Sequence, residues 1–130
     1  MVRKGGLSVL VCAQDLRSAG PVALKIVTLD PFDEGIRQRL QREVAILRRL
    51  DHPRIVRCLD AGSLSEMQVY LALEWLDGQD LAQLLSRGPV TLRTALEVIA
   101  QVADALHAAH REGVIHRDIK PANIFVMAQA

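Results

Sequence analysis

A chain of 130 residues holds one domain's worth of polypeptide. Half of it is hydrophobic and 24% is charged, a balance that suits a packed globular core and excludes a disordered segment. A formal net charge of +1 gives no electrostatic case for nucleic acid or an anionic membrane as partner, and no apolar run approaches the roughly 20 residues that span a bilayer.

Arg3 and Lys4 ahead of L-S-V-L-V-C-A imitate a secretory leader, but the apolar run is short, contains Ser8 and continues as a strand pattern. Residues 6–13 therefore predict a strand and residues 15–20 a polar turn. Residues 21–27, P-V-A-L-K-I-V, predict a second strand. On it Ala23, Lys25 and Val27 share one face, and Val22, Leu24 and Ile26 the other. Both faces are apolar, so Lys25 is expected in a largely buried place, where an ammonium needs a carboxylate or a bound anion.

Residues 33–50 follow the helical period, with Ile36, Leu40, Leu47 and Leu50 on one stripe. Glu43 falls on the same stripe. Alone it reads as an exposed edge residue; with Lys25 on the preceding strand it reads as that lysine's partner. Arg37, Arg39, Arg42, Arg48 and Arg49 are expected to form a solvated face. Pro53 ends the helix by pushing His52 out of the helical region. Residues 55–60 predict a short strand, 61–66 a turn and 67–74 another strand.

Gly78 marks a boundary, strand-rich before it and helix-rich after it. Asp80 is expected to cap a short helix through Leu85, stopped by Gly88-Pro89. Thr91 opens the longest helix, with Leu92, Leu96, Ile99, Val102 and Leu106 in period, and Gly113 closes it. His107 and His110 stand three apart on that helix without a third ligand at helical spacing, so they read as packing or surface histidines. Cys12 and Cys58 lack C-x-x-C spacing and read as reduced thiols, the usage of a cytoplasmic protein.

Residues 114–126, V-I-H-R-D-I-K-P-A-N-I-F-V, hold the densest chemistry in the chain. Val114-Ile115 and Ile124-Phe125-Val126 are expected to be buried, strand-like arms around His116, Arg117, Asp118, Lys120 and Asn123. Pro121 fixes the backbone and keeps Lys120 out of helix, so the polar residues form a loop. An acid, bases and an amide on an anchored loop make a catalytic platform.

The spacing H-R-D-I-K-P-A-N, with V-A-L-K, the helical Glu43, D-H-P-R-I-V and E-W-L-D-G-Q-D-L ahead of it, resembles a eukaryotic-type serine/threonine protein kinase domain of the bacterial kind. The resemblance runs essentially end to end. It implies an α+β, two-lobe kinase-like fold: an antiparallel sheet lobe with one long helix, then the first helices and the catalytic loop of the helical lobe. Residues 1–76 would be the small lobe, with its helix at about 33–50, and residues 77–130 the hinge and the beginning of the large lobe. ATP and Mg²⁺ would be the cofactors, and a protein Ser or Thr hydroxyl the substrate.

The resemblance also implies roles. Lys25, paired to Glu43, would contact the ATP phosphates. Val11, Ala23 and the backbone of Glu74 to Leu76 would hold the adenine, with Leu73 at the back of that pocket. Asp118 would accept the substrate proton, Lys120 would steady the phosphoryl group, and Asn123 would ligate magnesium. The phosphate loop aligns as R-K-G-G-L-S and supplies Gly5 and Gly6. Gly5 stands at the middle glycine, and Arg3 and Ser8 at the first and third positions. The family's Asp-Phe-Gly segment has no counterpart within the 130 residues, so this stretch is expected to be an incomplete domain, inactive alone, with its long helix exposed and open to self-association. Two rivals follow: a non-catalytic module binding nucleotide or a partner protein, and a small-molecule phosphotransferase of related fold. Arg117, Lys120 and Pro121 weigh against the second.

Overall fold

The computed structural model describes residues 2–5 and 8–128, which form two compact units, with the chain passing from the first to the second at Trp75–Leu76. The first unit is an antiparallel sheet of five strands in the order β1-β2-β3-β5-β4. These are β1 (Val2–Gly5), β2 (Ser8–Gln14), β3 (Pro21–Thr28), β4 (Cys58–Ser65) and β5 (Gln68–Glu74). Val, Ile and Leu dominate β2, β3 and β5, and their branched or bulky side chains pack well on a pleated surface. Val22, Leu29, Leu50 and Leu71 are the buried apolar residues of this unit.

Asp15 organises the turn between β2 and β3. Its carboxylate accepts from the Arg17 N–H at 2.9 Å and the Ser18 hydroxyl at 3.2 Å. The Arg17 N–H is the main reason the Asp15 carboxyl lies below the usual carboxylate range. The β4–β5 pairing overturns the expected turn at residues 61–66. Ala61, Gly62 and Ser63 look like turn residues by composition, yet they pair with Leu71, Tyr70 and Val69. The reversal needs only Glu66 and Met67, and bulges at Cys58/Asp60 and Ser63/Ser65 absorb the irregular side chains. The strand expected at residues 55–60 starts only at Cys58.

Helix α1 (Ile36–Arg49) begins after an Asp33 turn, whose carboxylate accepts from the Gly35 N–H at 3.1 Å. Leu40 and Val44 turn toward Val69 and Leu71, around a cleft of about 250 Å³ that Arg37 and Ser63 also line. The arginines of α1 are less uniform than a solvated face. Arg39 is bonded to Asp33, while the half-buried Arg37 reaches the Ser63 hydroxyl at 3.2 Å and the Glu66 carbonyl.

The second unit holds α2 (Leu81–Ser86), α3 (Leu92–Arg111) and a two-stranded ribbon of β6 (Gly78–Asp80) with β7 (Phe125–Met127). The helix starts agree with the sequence: the Asp80 carboxylate accepts from the Gln83 N–H and the Thr91 hydroxyl from the Thr94 N–H. Gly113 (φ 76°) closes α3 with its N–H on the His110 carbonyl and the Val114 N–H on the Ala109 carbonyl, both at 3.0 Å. Gly78 permits the ribbon: a Cβ there would lie 2.1 Å from the Val126 carbonyl oxygen. Of α3 only Ala109 is buried, while Leu92, Leu96 and Ile99 are 76%, 57% and 64% exposed. No helix among the described residues is long and apolar enough to cross a membrane.

Candidate active site

The sheet unit positions its own candidate residues by strand register. Leu10 lies opposite Lys25, and Lys25 opposite Leu71; Cys12 lies opposite Ala23, and Ala23 opposite Leu73. Directly opposed residues project from one face of a sheet. Leu10, Ala23, Lys25 and Leu73 therefore share a face. Val11 does not: it pairs with Leu24 and projects from the other side. The expectation that Val11 and Ala23 stand together on one face is corrected: Leu10, not Val11, shares the face of Ala23. The signal was available, since the motif G-x-G-x-x-G-x-V with Ser8 at its third glycine puts its Val at position 10.

Lys25 is exposed rather than largely buried. With the residue exposed, burial does not force a partner on its ammonium. Glu43 is exposed too, and no ion pair joins the two among the described residues. The reason is the rotation of α1. With Leu40 and Val44 facing the sheet, Glu43 falls at the rim of the apolar stripe, the plainer of its two readings. Gly5 ends β1 opposite Ser8, and Gly6 lies outside the described residues. At the end of β5 the Glu74 N–H donates to the Arg57 carbonyl at 3.0 Å, and the Glu74 carboxylate accepts from the Arg57 N–H at 2.8 Å. That double bond fixes the strand where Trp75 and Leu76 leave it, a tie that sequence reasoning missed.

The second unit builds the polar loop from local bonds. The Asp118 N–H donates to His116 Nδ1 at 3.2 Å, with Arg117 between them held at φ 66°. A non-glycine residue in that region costs about 1 kcal/mol, so the bend is held by its neighbours. Pro121 opens a single 3-10 turn through Asn123, and the Asn123 N–H donates to the Lys120 carbonyl at 2.9 Å. This turn swings the Asn123 amide back over the acid. Asn123 Nδ2 donates to the Asp118 carbonyl at 2.9 Å and to Asp118 Oδ2 at 3.1 Å, and Lys120 Nζ stands 3.4 Å from the same Oδ2. Among the described residues Asp118 Oδ1 accepts no hydrogen bond. Both amide hydrogens of Asn123 are used, which leaves its carbonyl oxygen as a hard, oxygen-type metal donor.

The arms of this loop differ from expectation. Val114-Ile115 forms no strand, and Ile115 is 66% exposed. Ile124 is anchored by its carbonyl, which accepts from the Leu81 N–H at 2.8 Å, and only Phe125–Met127 pairs, with β6. The first arm has no strand beside it among the described residues, and unpaired backbone stays irregular.

The family model for the protein kinase domain matches residues 2–130. Serine/threonine-protein kinase PknB of Mycobacterium tuberculosis is 38% identical over 129 residues, covering 95% of this chain and 21% of that protein. Serine/threonine-protein kinase pkn3 of Myxococcus xanthus is 38% identical over 128 residues, covering 97% of this chain and 23% of that one. The crystal structure of the Mycobacterium tuberculosis PknI kinase domain superimposes with a TM-score of 0.83 at 30% identity, covering 98% of this chain and 53% of that chain. The chain belongs to the protein kinase domain family, with an α+β kinase fold. It spans about a fifth of the length of the curated relatives it matches.

Proposed function

We propose that these residues carry the nucleotide-binding and proton-accepting parts of a serine/threonine protein kinase, which transfers the γ-phosphoryl group of ATP to protein Ser or Thr hydroxyls. The observation that carries this reading is the Asp118 carboxylate, one oxygen held by Asn123 and Lys120 and the other left open. Phosphoryl transfer mostly needs alignment of the nucleophile and neutralisation of spread negative charge. Asp118 Oδ1 accepts the proton of the attacking hydroxyl, and Lys120 offers positive charge beside it. Lys25, on the sheet face with Leu10, Ala23 and Leu73, binds nucleotide phosphates while those three flank the base. The Asn123 carbonyl oxygen would hold magnesium together with phosphate oxygens; bound there, the ion would neutralise phosphate charge. Residues 1–76 serve as the small lobe with α1 as its helix, and residues 77–130 as the hinge and start of the large lobe.

The test is urea unfolding with and without Mg-ATP. Ligand at about a hundredfold over its Kd stabilises the folded state by about 2.7 kcal/mol, which moves the midpoint to higher urea. The shift is expected in the natural chain and absent in Lys25→Met. An equal shift in both would refute the placement of the phosphates at Lys25. Phosphate transfer to a protein substrate, measured in a protein that contains these residues within a full kinase domain, is expected to fall to background in Asp118→Asn.

A second reading concerns association. The 20-residue α3 exposes Leu92, Leu96 and Ile99 at helical spacing, an apolar stripe that favours self-association of this chain. Sedimentation velocity should show concentration-dependent dimers that Leu96→Glu abolishes; a monomer at every concentration would exclude it.

A further inference from the structure

Ser63 lies near the tip of the β4–β5 hairpin, on the strand that ends the sheet order, and every residue from Ser63 to Met67 is exposed. The outer side of β4 has no ladder partner among the described residues, so the Ser63 hydroxyl is open to an enzyme that takes an extended segment. Ser63 Oγ accepts from Arg37 Nη1 at 3.2 Å, and Arg37 Nη2 donates to the Glu66 carbonyl. Both acceptors are neutral. Arg37 is half-buried, and no carboxylate pairs with it among the described residues. It also stands in the first turn of α1, which has no acidic residue and no side-chain cap. Negative charge is stabilising beside a half-buried cation and beside a helix N-terminus, and neither place is supplied with it. Arg37 and Ser63 line the same cleft of about 250 Å³, so a group several atoms larger than a hydroxyl has room between them.

We propose that Ser63 is a phosphorylation site and that Arg37 seats the phosphate, tying the first turn of α1 to the β4 edge. Ser63 is the substrate here and takes no part in the catalytic machinery of this chain. Its Oγ attacks the γ-phosphorus of ATP bound to a serine/threonine protein kinase acting on this chain. The new O–P bond forms as the bond from that phosphorus to the ADP oxygen breaks, the hydroxyl proton passes to that kinase's general base, and ADP leaves. The phosphate brings close to two negative charges and three acceptor oxygens, enough for two parallel bonds to the guanidinium. Ser65 has no such seat: its hydroxyl accepts only from the Met67 N–H, at 3.2 Å, among the described residues.

Phosphoserine incorporated genetically at position 63 of the whole chain, and separately at position 65, tests the seat. By phosphorus-31 titration the second phosphate pKa should lie well below about 6 at position 63, because the guanidinium favours the dianion, and near about 6 at position 65. In Arg37→Gln the value at position 63 should return to about 6. In urea, phosphate at position 63 should raise the folding constant by about tenfold, the gain from a hydrogen bond to a charged group. Phosphate at position 65 should not, and Arg37→Gln should remove the gain. Tandem mass spectrometry of the chain isolated from the cells that make it should find phosphate on Ser63. A phosphate at position 63 that titrates like the one at 65, a folding constant that falls or stays, persistence of both effects in Arg37→Gln, or an isolated chain with Ser63 unmodified would each overturn the proposal.

Discussion

Replacing Gly78 by alanine should unzip the ribbon that holds the end of the polar loop. Gly78 has φ 153°, and a Cβ built on it would lie 2.1 Å from the Val126 carbonyl oxygen, 3.0 Å from the Ala128 nitrogen and 3.0 Å from the Met127 Cα. All three neighbours are backbone, so no side chain can rotate out of the way. Backbone strain alone costs about 1–3 kcal/mol. The strands must also separate by more than an ångström, which sacrifices ladder bonds and the 2.8 Å bond from the Ala128 N–H to the Asp77 carbonyl, at about 1 kcal/mol each. A local loss of about 3–5 kcal/mol is expected, which is on the order of a hundredfold or more in amide exchange at Ala128. Gly113→Ala is the control. It also needs a positive φ, 76°, but a Cβ there meets nothing within 4 Å, so it should cost only about 1 kcal/mol. Equal effects for the two substitutions, or an unchanged Ala128 amide in Gly78→Ala, would refute the close-approach argument.

Leu10→Ala should weaken nucleotide binding severalfold by titration, whereas Val11→Ala should lower the urea midpoint and leave that affinity unchanged; the reverse pattern would move the ligand to the other sheet face. Asn123→Ala removes both donors from Asp118 and is expected to lower phosphotransfer in a full kinase domain by about tenfold to a thousandfold, as loss of an orienting donor does elsewhere. Tyr70 is the chain's one tyrosine, so its ultraviolet titration is unambiguous. Its hydroxyl donates to Asp60 Oδ2 at 3.2 Å, and that bond, followed by burial, holds its pKa above the ordinary tyrosine value. A raised folded pKa means the contribution is fully present below the unfolded pKa and is lost as pH rises through the folded one. Stability should therefore fall at strongly alkaline pH, and Asp60→Asn should move the titration back toward about 10.

The features legible in the sequence are those whose causes lie within a few residues. Asp80 and Thr91 cap helices because each offers a side-chain oxygen to an N–H three residues on, a relation that requires no knowledge of the rest of the fold. The polar loop is the same kind of object. His116, Asp118, Lys120 and Asn123 satisfy one another across eight residues, with Pro121 setting the turn that brings Asn123 back to Asp118. The strand through Ala61, Gly62 and Ser63 was illegible because its cause lies in β5, whose side chains tolerate small and polar partners at the sheet edge.

Glu43 shows where pattern reading runs out. On a helix of 3.6 residues per turn, neighbouring positions are separated by 100°, so a stripe centred on Leu40, Val44 and Leu47 leaves Glu43 at its margin. A shift of the centre by half that angle would have brought the carboxylate inward. Sequence periodicity locates a stripe to within about one residue, which is the difference between a buried ion pair and a rim acid. Two like-sized exposed charges at the rim gain about 1 kcal/mol or less from meeting each other in water. Fluorescence of Trp75, the single tryptophan, next to the Glu74–Arg57 tie, should report nucleotide binding in the natural chain and lose most of that response in Lys25→Met; an equal response in both would refute the placement of the phosphates at Lys25.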